Sequence, residues 1–343
     1  MKISVLIVDD SEVYRIFLRS ILSTESDIEI VSVASNGRLA LPRIKHYQPD
    51  VVLLDYQMPE MDGLETIPEI KNRSPHSRIL MFSSHTTRGA QLTLQALELG
   101  ADDFITKPAG NLGGDVAAQL KVLLLDRIRG LTTKVVKDIA PAEPLISRRA
   151  GMRSRYRYCV IGISTGGPPA LRRLFKAISP DIRGSIFVVQ HMPALFTAQL
   201  AESLNAESGL TISEAKDGEL PQSAHVYIAP GGKQMRLEKK TESEVVIRIE
   251  ESDPAELCKP SANILFNSAV FCASETLAVI MTGMGEDGYQ GMKNLSAGRA
   301  YLMAQAADDC VIFGMPAKPI RDGIVHEIHA VEGLAQKISE YLR

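Results

Sequence analysis

The chain has 343 residues, is 45% hydrophobic and 23% charged, and carries a formal net charge of −3 at pH 7. That composition supplies core for roughly two globular domains, and the slight acidity removes the electrostatic case for a nucleic-acid binder or an anionic-membrane binder. The cysteines Cys159, Cys258, Cys272 and Cys310 form no C-x-x-C pair, and no apolar run approaches the ~18 residues of a membrane span. The expectation is a reduced, cytoplasmic protein without membrane insertion and without a zinc or disulfide framework. The start, "MKISVLIVDD", has an apolar run that meets acids at once, so it reads as a buried strand and not as a signal peptide.

Five short β-rich runs follow one another: "SVLIVDD", "IEIVSVA", "DVVLLDY", "RILMFSS" and "ADDFITKP". The first four are each followed by a segment with helical spacing, which predicts βαβ units and a parallel sheet. Pro42 and Pro68 fall inside helical patterns, so a displaced helix start or a kink is expected at each. A last helix, "GDVAAQLKVLLLDRIRG", is expected to end at Gly130. Residues 131–154 lose periodicity around Pro-Ala-Glu-Pro and read as a linker. Arg148, Arg149, Arg153, Arg155 and Arg157 form a basic cluster there, either solvated or docked on an acidic surface of the first domain. From about residue 155 the alternation resumes in "RYCVIGIS", "SIFVVQHM", "HVYIAPGG", "EVVIRIE", "LAVIMTG" and "AYLMAQ". The fold class is therefore α/β, with two doubly wound parallel-sheet domains over 1–130 and 155–343.

In the first domain, Asp9 and Asp10 close the first strand and Asp55 closes the third. Ligands of open parallel sheets bind beyond the carboxyl ends of the strands, where strand order reverses. Crowded carboxylates there suit Mg²⁺, which takes a few carboxylates plus water and phosphate oxygens. Ser83 and Lys107, at the ends of the fourth and fifth strands, supply a hydroxyl and an ammonium able to grip a phosphoryl group on Asp55. Taken singly, an aspartate here reads as a helix cap or turn residue, and for Asp9 or Asp10 alone that reading is favoured; three carboxylates, a hydroxyl and an ammonium all at strand ends are far harder to explain that way. The pattern resembles response-regulator receiver domains, of flavodoxin-like fold, over residues 1–130. The resemblance implies Asp55 as phosphoacceptor, Asp9, Asp10 and Asp55 as Mg²⁺ ligands, Ser83, Phe104 and Lys107 as phospho-switch residues, and a partner histidine kinase as phosphodonor. Gln57 stands where an acid is usual and His85 follows the switch serines; both are expected to tune the lifetime of the acyl phosphate.

In the second domain, "GISTGG" contains Gly162-Ile163-Ser164-Thr165-Gly166, a G-x-S-x-G. It lacks the G-x-G-x-x-G of a dinucleotide site. Two readings remain open on the motif alone: Ser164 caps the helix that Pro168 helps start, or it is a nucleophile, which requires a histidine base and an orienting acid at other strand ends. His191 closes "VVQHMP" and Asp287 follows "VIMTGMGED", so the three come from three strand-end loops. Their order, Ser-His-Asp, differs from the Ser-Asp-His of α/β-hydrolases, so the elbow motif does not imply that fold.

The runs "GISTGGPPAL", "QHMPALFTAQLAESLN", "IAPGGKQM", "KPSANILFNSAV", "IMTGMGEDGYQGM" and "FGMP" resemble the Rossmann-like catalytic domain of chemotaxis protein-glutamate methylesterases over about 155–343. The receiver-linker-esterase order matches the whole chain. The resemblance implies a Ser164-His191-Asp287 triad, a Met284 N–H in the oxyanion hole, Thr165 lining the site, and no cofactor in this domain. It also implies a methylated chemoreceptor as substrate, deamidation of its glutamines, and an unphosphorylated receiver packed over the Ser164 site. Ala306 and Ala307 stand where acids are expected after Gln305. The rival readings are a response regulator with a non-catalytic protein-binding output domain and, last, a DNA-binding output, for which no helix-turn-helix signal exists.

Overall fold

The computed structural model describes residues 2–84, 86–108, 114–133, 156–241 and 244–343. Two compact units divide the chain, Met1–Lys134 and Val135–Arg343. The linker expected over 131–154, with Arg148, Arg149, Arg153 and Arg155, lies almost wholly outside the described residues, as does His85. Arg157 is described: it pairs with Glu275 at 3.3 Å and lies over the Tyr158 ring.

The first unit runs β1 (Ile3–Val8), α1 (Glu12–Leu22), β2 (Ile28–Ala34), α2 (Gly37–Tyr47), β3 (Val51–Asp55), α3 (Gly63–Arg73), β4 (Arg78–Ser84), α4 (Thr87–Glu98), β5 (Asp103–Lys107) and α5 (Gly114–Thr132). All strand pairs are parallel, in the order β2-β1-β3-β4-β5. This is the flavodoxin-like order, and it reverses between β1 and β3. Every residue of β3 is buried, as a strand covered on both faces must be.

Neither proline delays its helix. α2 starts at Gly37 because Asn36 accepts the Leu39 N–H at 2.9 Å, and α3 starts at Gly63 under a capping box of Asp62 and Glu65. These caps fix the starts upstream of Pro42 and Pro68. α5 also overruns its expected end: Gly130 is inside it, Leu131 is buried, and Thr132 bonds back to Ile128 and Arg129 carbonyls. Packing of Leu131 outweighs the weak helix propensity of glycine.

The second unit runs β6 (Tyr158–Ile163), α6 (Gly167–Ala177), β7 (Ser185–Gln190), α7 (Ala194–Glu207), β8 (Thr211–Glu214), β9 (His225–Ile228), β10 (Lys233–Lys239), β11 (Val245–Glu251), α8 (Ala262–Ser268), β12 (Thr276–Ile280), α9 (Tyr289–Ala297), β13 (Tyr301–Gln305), α10 (Ala317–Arg321), β14 (Glu327–His329) and α11 (Val331–Tyr341). Seven strands form a parallel sheet in the order β14-β13-β12-β6-β7-β9-β8. The chain winds one way from β6 through β7 and the other way through β12, so the reversal falls between β6 and β12. β6, β7 and β12 are buried throughout, and Phe187 stacks on Tyr227 at 5.6 Å in the core beneath them.

One strand assignment needs correction. "EVVIRIE" forms β11, which pairs antiparallel with β10 in a separate two-stranded ribbon and not in the parallel sheet. Its alternation of apolar with charged residues is that of a half-exposed ribbon. β8, β10 and β14 are short or largely polar and carry little strand signal in sequence.

Candidate functional site

The first cluster lies at the β1/β3 reversal. Asp9, Asp10 and Asp55 each offer an oxygen, all within 4.8 Å of one another. The Lys107 ammonium, from the end of β5, sits 2.8 Å from Asp9 Oδ2 and 2.7 Å from Asp55 Oδ2. Tyr14 and Phe82 box it in, with ring centroids 4.6 and 5.5 Å from Nζ. Burial pushes the Asp55 carboxyl up to about 6, against the lowering influence of Lys107 and with the Asp9 charge adding to the rise. Burial raises Asp9 as well, while Lys107 opposes it. Burial alone would lower Lys107, but the Asp55 and Asp9 charges outweigh it and raise the ammonium.

Asp9 Oδ2 is buried, with the Lys107 ammonium 2.8 Å away and no other donor to it among the described residues. An under-coordinated carboxylate oxygen among hard oxygen donors fits Mg²⁺. Asp9, Asp10 and Asp55 would hold the ion, whose charge would offset the carboxylates and the oxygens of an incoming phosphoryl group. Ser83 lies on β4. It is fully buried, accepts a hydrogen bond from Thr93 at 2.6 Å and donates to the Gly89 carbonyl at 3.4 Å, so its bonds run to α4 and not to Asp55. Phe104 is half-buried on β5, and Gln57 is exposed two residues beyond Asp55.

The raised acid has a consequence for stability. Asp55 titrates at about 6 when folded against an ordinary 3.8. Between those values the folded state binds more protons than the unfolded one, so stability falls as pH rises through that window. In chelator-containing buffer, Asp55→Asn is therefore expected to be more stable than wild type above pH ~6, by up to about 3 kcal/mol, and no more stable below pH ~4. Urea unfolding at the two pH values checks this, and added Mg²⁺ should narrow the gap.

The second cluster lies where strand order reverses at β6. Ser164 follows β6, His191 follows β7, and Asp287 sits in the β12–α9 loop. The His191 N–H bonds the Ile163 carbonyl at 3.1 Å, and Gln190 Nε2 holds the Ser164 carbonyl at 3.0 Å, so the ends of β6 and β7 are tied together. His191 Nε2 is 2.8 Å from Asp287 Oδ2. The carboxylate accepts four more bonds: Oδ1 from Ser261 Oγ, the Asn263 N–H and the Gly288 N–H, and Oδ2 from the Ala262 N–H at 2.6 Å. Burial would raise this acid, but the His191 bond and charge, with the α8 N–H groups, hold it below the ordinary carboxylate range. Asp287 is thus ionised and fixed in place.

The capping reading of Ser164 fails. The N-cap of α6 is Gly166, in the left-handed region at φ 76°, with no side-chain cap bond. The Ser164 hydroxyl makes no hydrogen bond among the described residues, while its N–H donates to Thr282 O at 2.9 Å. Thr165 is buried, its carbonyl held by Thr282 Oγ1. The Met284 N–H has no acceptor among the described residues, and its turn lies against Ser164.

Three comparisons with known proteins bear on this arrangement. The family description CheB methylesterase matches residues 159–338, and Response regulator receiver domain matches 5–112. The chain belongs to the CheB methylesterase family. It is 39% identical to the protein-glutamate methylesterase/protein-glutamine glutaminase of Bacillus subtilis (strain 168), over 99% of each chain. It is 40% identical to the protein of the same description from Bacillus licheniformis, again over 99% of each. The solved Thermotoga maritima CheB methylesterase catalytic domain is similar over 54% of this chain and 98% of its own, at 35% identity and TM-score 0.52.

In this CheB methylesterase family member the glycines around the serine are required by close packing. A Cβ on Gly162 would lie 2.8 Å from Ala262 Cβ, and one on Gly283 would lie 2.7 Å from Ser164 Cβ and 2.4 Å from Met315 Sδ. Gly283→Ala is accordingly expected to lower stability by about 1–3 kcal/mol, as overpacking of a filled site does, and to depress esterase activity with it. A denaturant midpoint and a rate on the same preparation test this.

Sequence reading missed Ser261 and Gln190. Ser261 carried a signal, a serine just before the apolar run of α8, which it caps by accepting the Ile264 N–H. Beyond Ala306 and Ala307, an acid does bond back to Gln305. Asp309 takes the Gln305 amide at 3.0 Å and the Val331 N–H at 2.8 Å, and Gln305 in turn accepts the Thr282 N–H.

Proposed function

We propose that this chain hydrolyses glutamyl methyl esters on a chemoreceptor, releasing methanol, deamidates glutamines there, and is controlled by phosphorylation of Asp55 by a histidine kinase. Family membership supports the reaction class. The observation that carries the catalytic reading is a serine hydroxyl with no hydrogen bond among the described residues, on a strand end tied by hydrogen bonds to that of a histidine already paired to a fixed carboxylate at 2.8 Å.

The mechanism follows from that pair. Asp287 can only accept, so it holds the imidazole proton on Nε2 and leaves the Nδ1 lone pair as the base. As Ser164 Oγ attacks the ester carbonyl, Nδ1 takes its proton, and Asp287 supports the charge that develops on the ring. The N–H of Met284 donates to the oxyanion, a contribution of roughly 2.7–4 kcal/mol for one such donor. His191 then gives its proton to methoxide as the C–O bond breaks, and methanol leaves. A water, deprotonated by the same nitrogen, attacks the acyl-serine; the products are the glutamate side chain and free Ser164. A glutamine carboxamide follows the same course with ammonia as leaving group. In the receiver unit, Asp9, Asp10 and Asp55 would hold Mg²⁺, which would supply charge neutralisation for phosphoryl transfer to Asp55, and Lys107 would grip a phosphoryl oxygen. Among the described residues no helix is long and apolar enough to cross a membrane.

The test is mass spectrometry of receptor peptides after incubation of receptor-bearing membranes with the protein. Methyl esters and glutamines at the same helical sites are expected to convert to glutamate. Unchanged peptides after addition of a phosphodonor would overturn the proposal.

A further inference from the structure

A thiol stands beside the catalytic pair. The Cys258 sulfur, a ring nitrogen of His191 and a carboxylate oxygen of Asp287 lie within 4.8 Å of one another, and all three residues are partly exposed. We propose that these three side chains form a site for a thiophilic divalent cation such as Zn²⁺, and that its occupancy switches the esterase off.

The donor chemistry selects the ion. Imidazole, thiolate and carboxylate together suit Zn²⁺ and exclude Mg²⁺, which prefers oxygen donors alone. Tetrahedral zinc with bonds of roughly 2.0–2.3 Å places its ligands about 3.3–3.7 Å apart. His191 Nε2 and Asp287 Oδ2, now 2.8 Å apart, would open slightly, and Cys258 would close by about an ångström at most from its 4.8 Å limit. Three protein ligands leave the fourth position to water.

The surroundings already hold the ligands. Gln234 is buried; its Nε2 donates to the Cys258 carbonyl at 2.8 Å and its Oε1 accepts the Ser261 N–H at 2.8 Å. One amide thus ties the backbone at Cys258 to the serine that bonds Asp287. Carboxylate ligands fixed by such hydrogen bonds are the usual second layer of a metal site. The ligands come from residues 191, 258 and 287, so no short spacing in the sequence reveals them.

Binding is balanced simply. The Cys258 thiol loses its proton to solvent, the metal takes the His191 Nε2 lone pair, and the proton that Nε2 carries in the metal-free enzyme passes through solvent to Nδ1. His191 then has no lone pair for the Ser164 proton. This block rests on His191 being the base, whereas the site itself does not.

The experiment uses full-length, reduced, chelator-treated protein with Co²⁺ as the spectroscopic probe and Zn²⁺ as the inhibitor. Co²⁺ is expected to give tetrahedral d–d bands with a thiolate-to-cobalt charge-transfer band, displaced by one equivalent of Zn²⁺. Carboxylates of the receiver unit cannot give the thiolate band. The band should persist in Cys310→Ser, which removes the other partly exposed thiol, and vanish in Cys258→Ser and Cys258→Ala, with thermal melts showing both folded. The Zn²⁺ concentration that halves each variant's own metal-free rate should rise at least tenfold in the Cys258 variants. A thiolate band or Zn²⁺ sensitivity unchanged by both Cys258 substitutions would overturn the site. A wild-type band with no loss of esterase rate would overturn the block and His191 as base together, leaving the site standing.

Discussion

Ser164→Ala and His191→Ala are each expected to lower the rate of methyl-ester hydrolysis by at least about 10³-fold, and the double variant by little more than either alone. The serine and the imidazole act as one unit: without the base the hydroxyl is a poor nucleophile, and without the hydroxyl the base has no proton to take. Catalytic groups coupled this way are grossly non-additive. The residual rate of each variant should reflect the oxyanion donor and substrate binding. Ser164→Ala should leave the fold intact, since its hydroxyl makes no hydrogen bond among the described residues, whereas His191→Ala also removes the imidazole's bond to Asp287. Asp287→Ala differs. It frees three backbone N–H groups and the Ser261 hydroxyl as well as the imidazole, so it should lose activity and also unfold more readily. A multiplicative double variant would show that serine and histidine act separately.

Removal of residues 1–134 is expected to raise the basal esterase rate at least about tenfold, and Asp55→Ala in the full chain to leave it low and insensitive to phosphodonor. The two units have their own internal packing and divide at Lys134–Val135, so truncation takes no core from the esterase. Each tenfold of restraint needs only about 1.4 kcal/mol of preference for an inactive arrangement. Phosphorylation of Asp55 can supply that, because it adds charge where Lys107 now answers two carboxylates and rebalances which groups that ammonium holds. Steady-state rates of the three proteins with and without phosphodonor test the scheme. A truncated enzyme no faster than the unphosphorylated full chain would refute inhibition and point to activation by the phosphorylated receiver.

The architecture was largely legible because strand-end chemistry is written locally. Asp9, Asp55, Ser164 and His191 each follow an apolar run, and a parallel sheet delivers such residues to one edge. Asp287 could be proposed from its turn, but its capping of α8 could not, since that contact joins segments 25 residues apart. The state of Ser83 was likewise hidden: its partner Thr93 is on the next helix, and sequence assigns a hydroxyl to a strand end without saying which way it bonds. β11 was misplaced because a half-exposed antiparallel ribbon and an edge strand share one alternation. Gly130 was read as a stop because propensity is local, whereas the burial of Leu131 that carries α5 onward is tertiary.

The central claim, that Ser164 performs the ester hydrolysis, is tested most directly by methanol release from methylated receptor membranes. Full-length wild type and Ser164→Ala are compared side by side with phosphodonor present. Sustained release is expected from wild type, and none above the enzyme-free background from the variant. Release by correctly folded Ser164→Ala at a rate near wild type would contradict it.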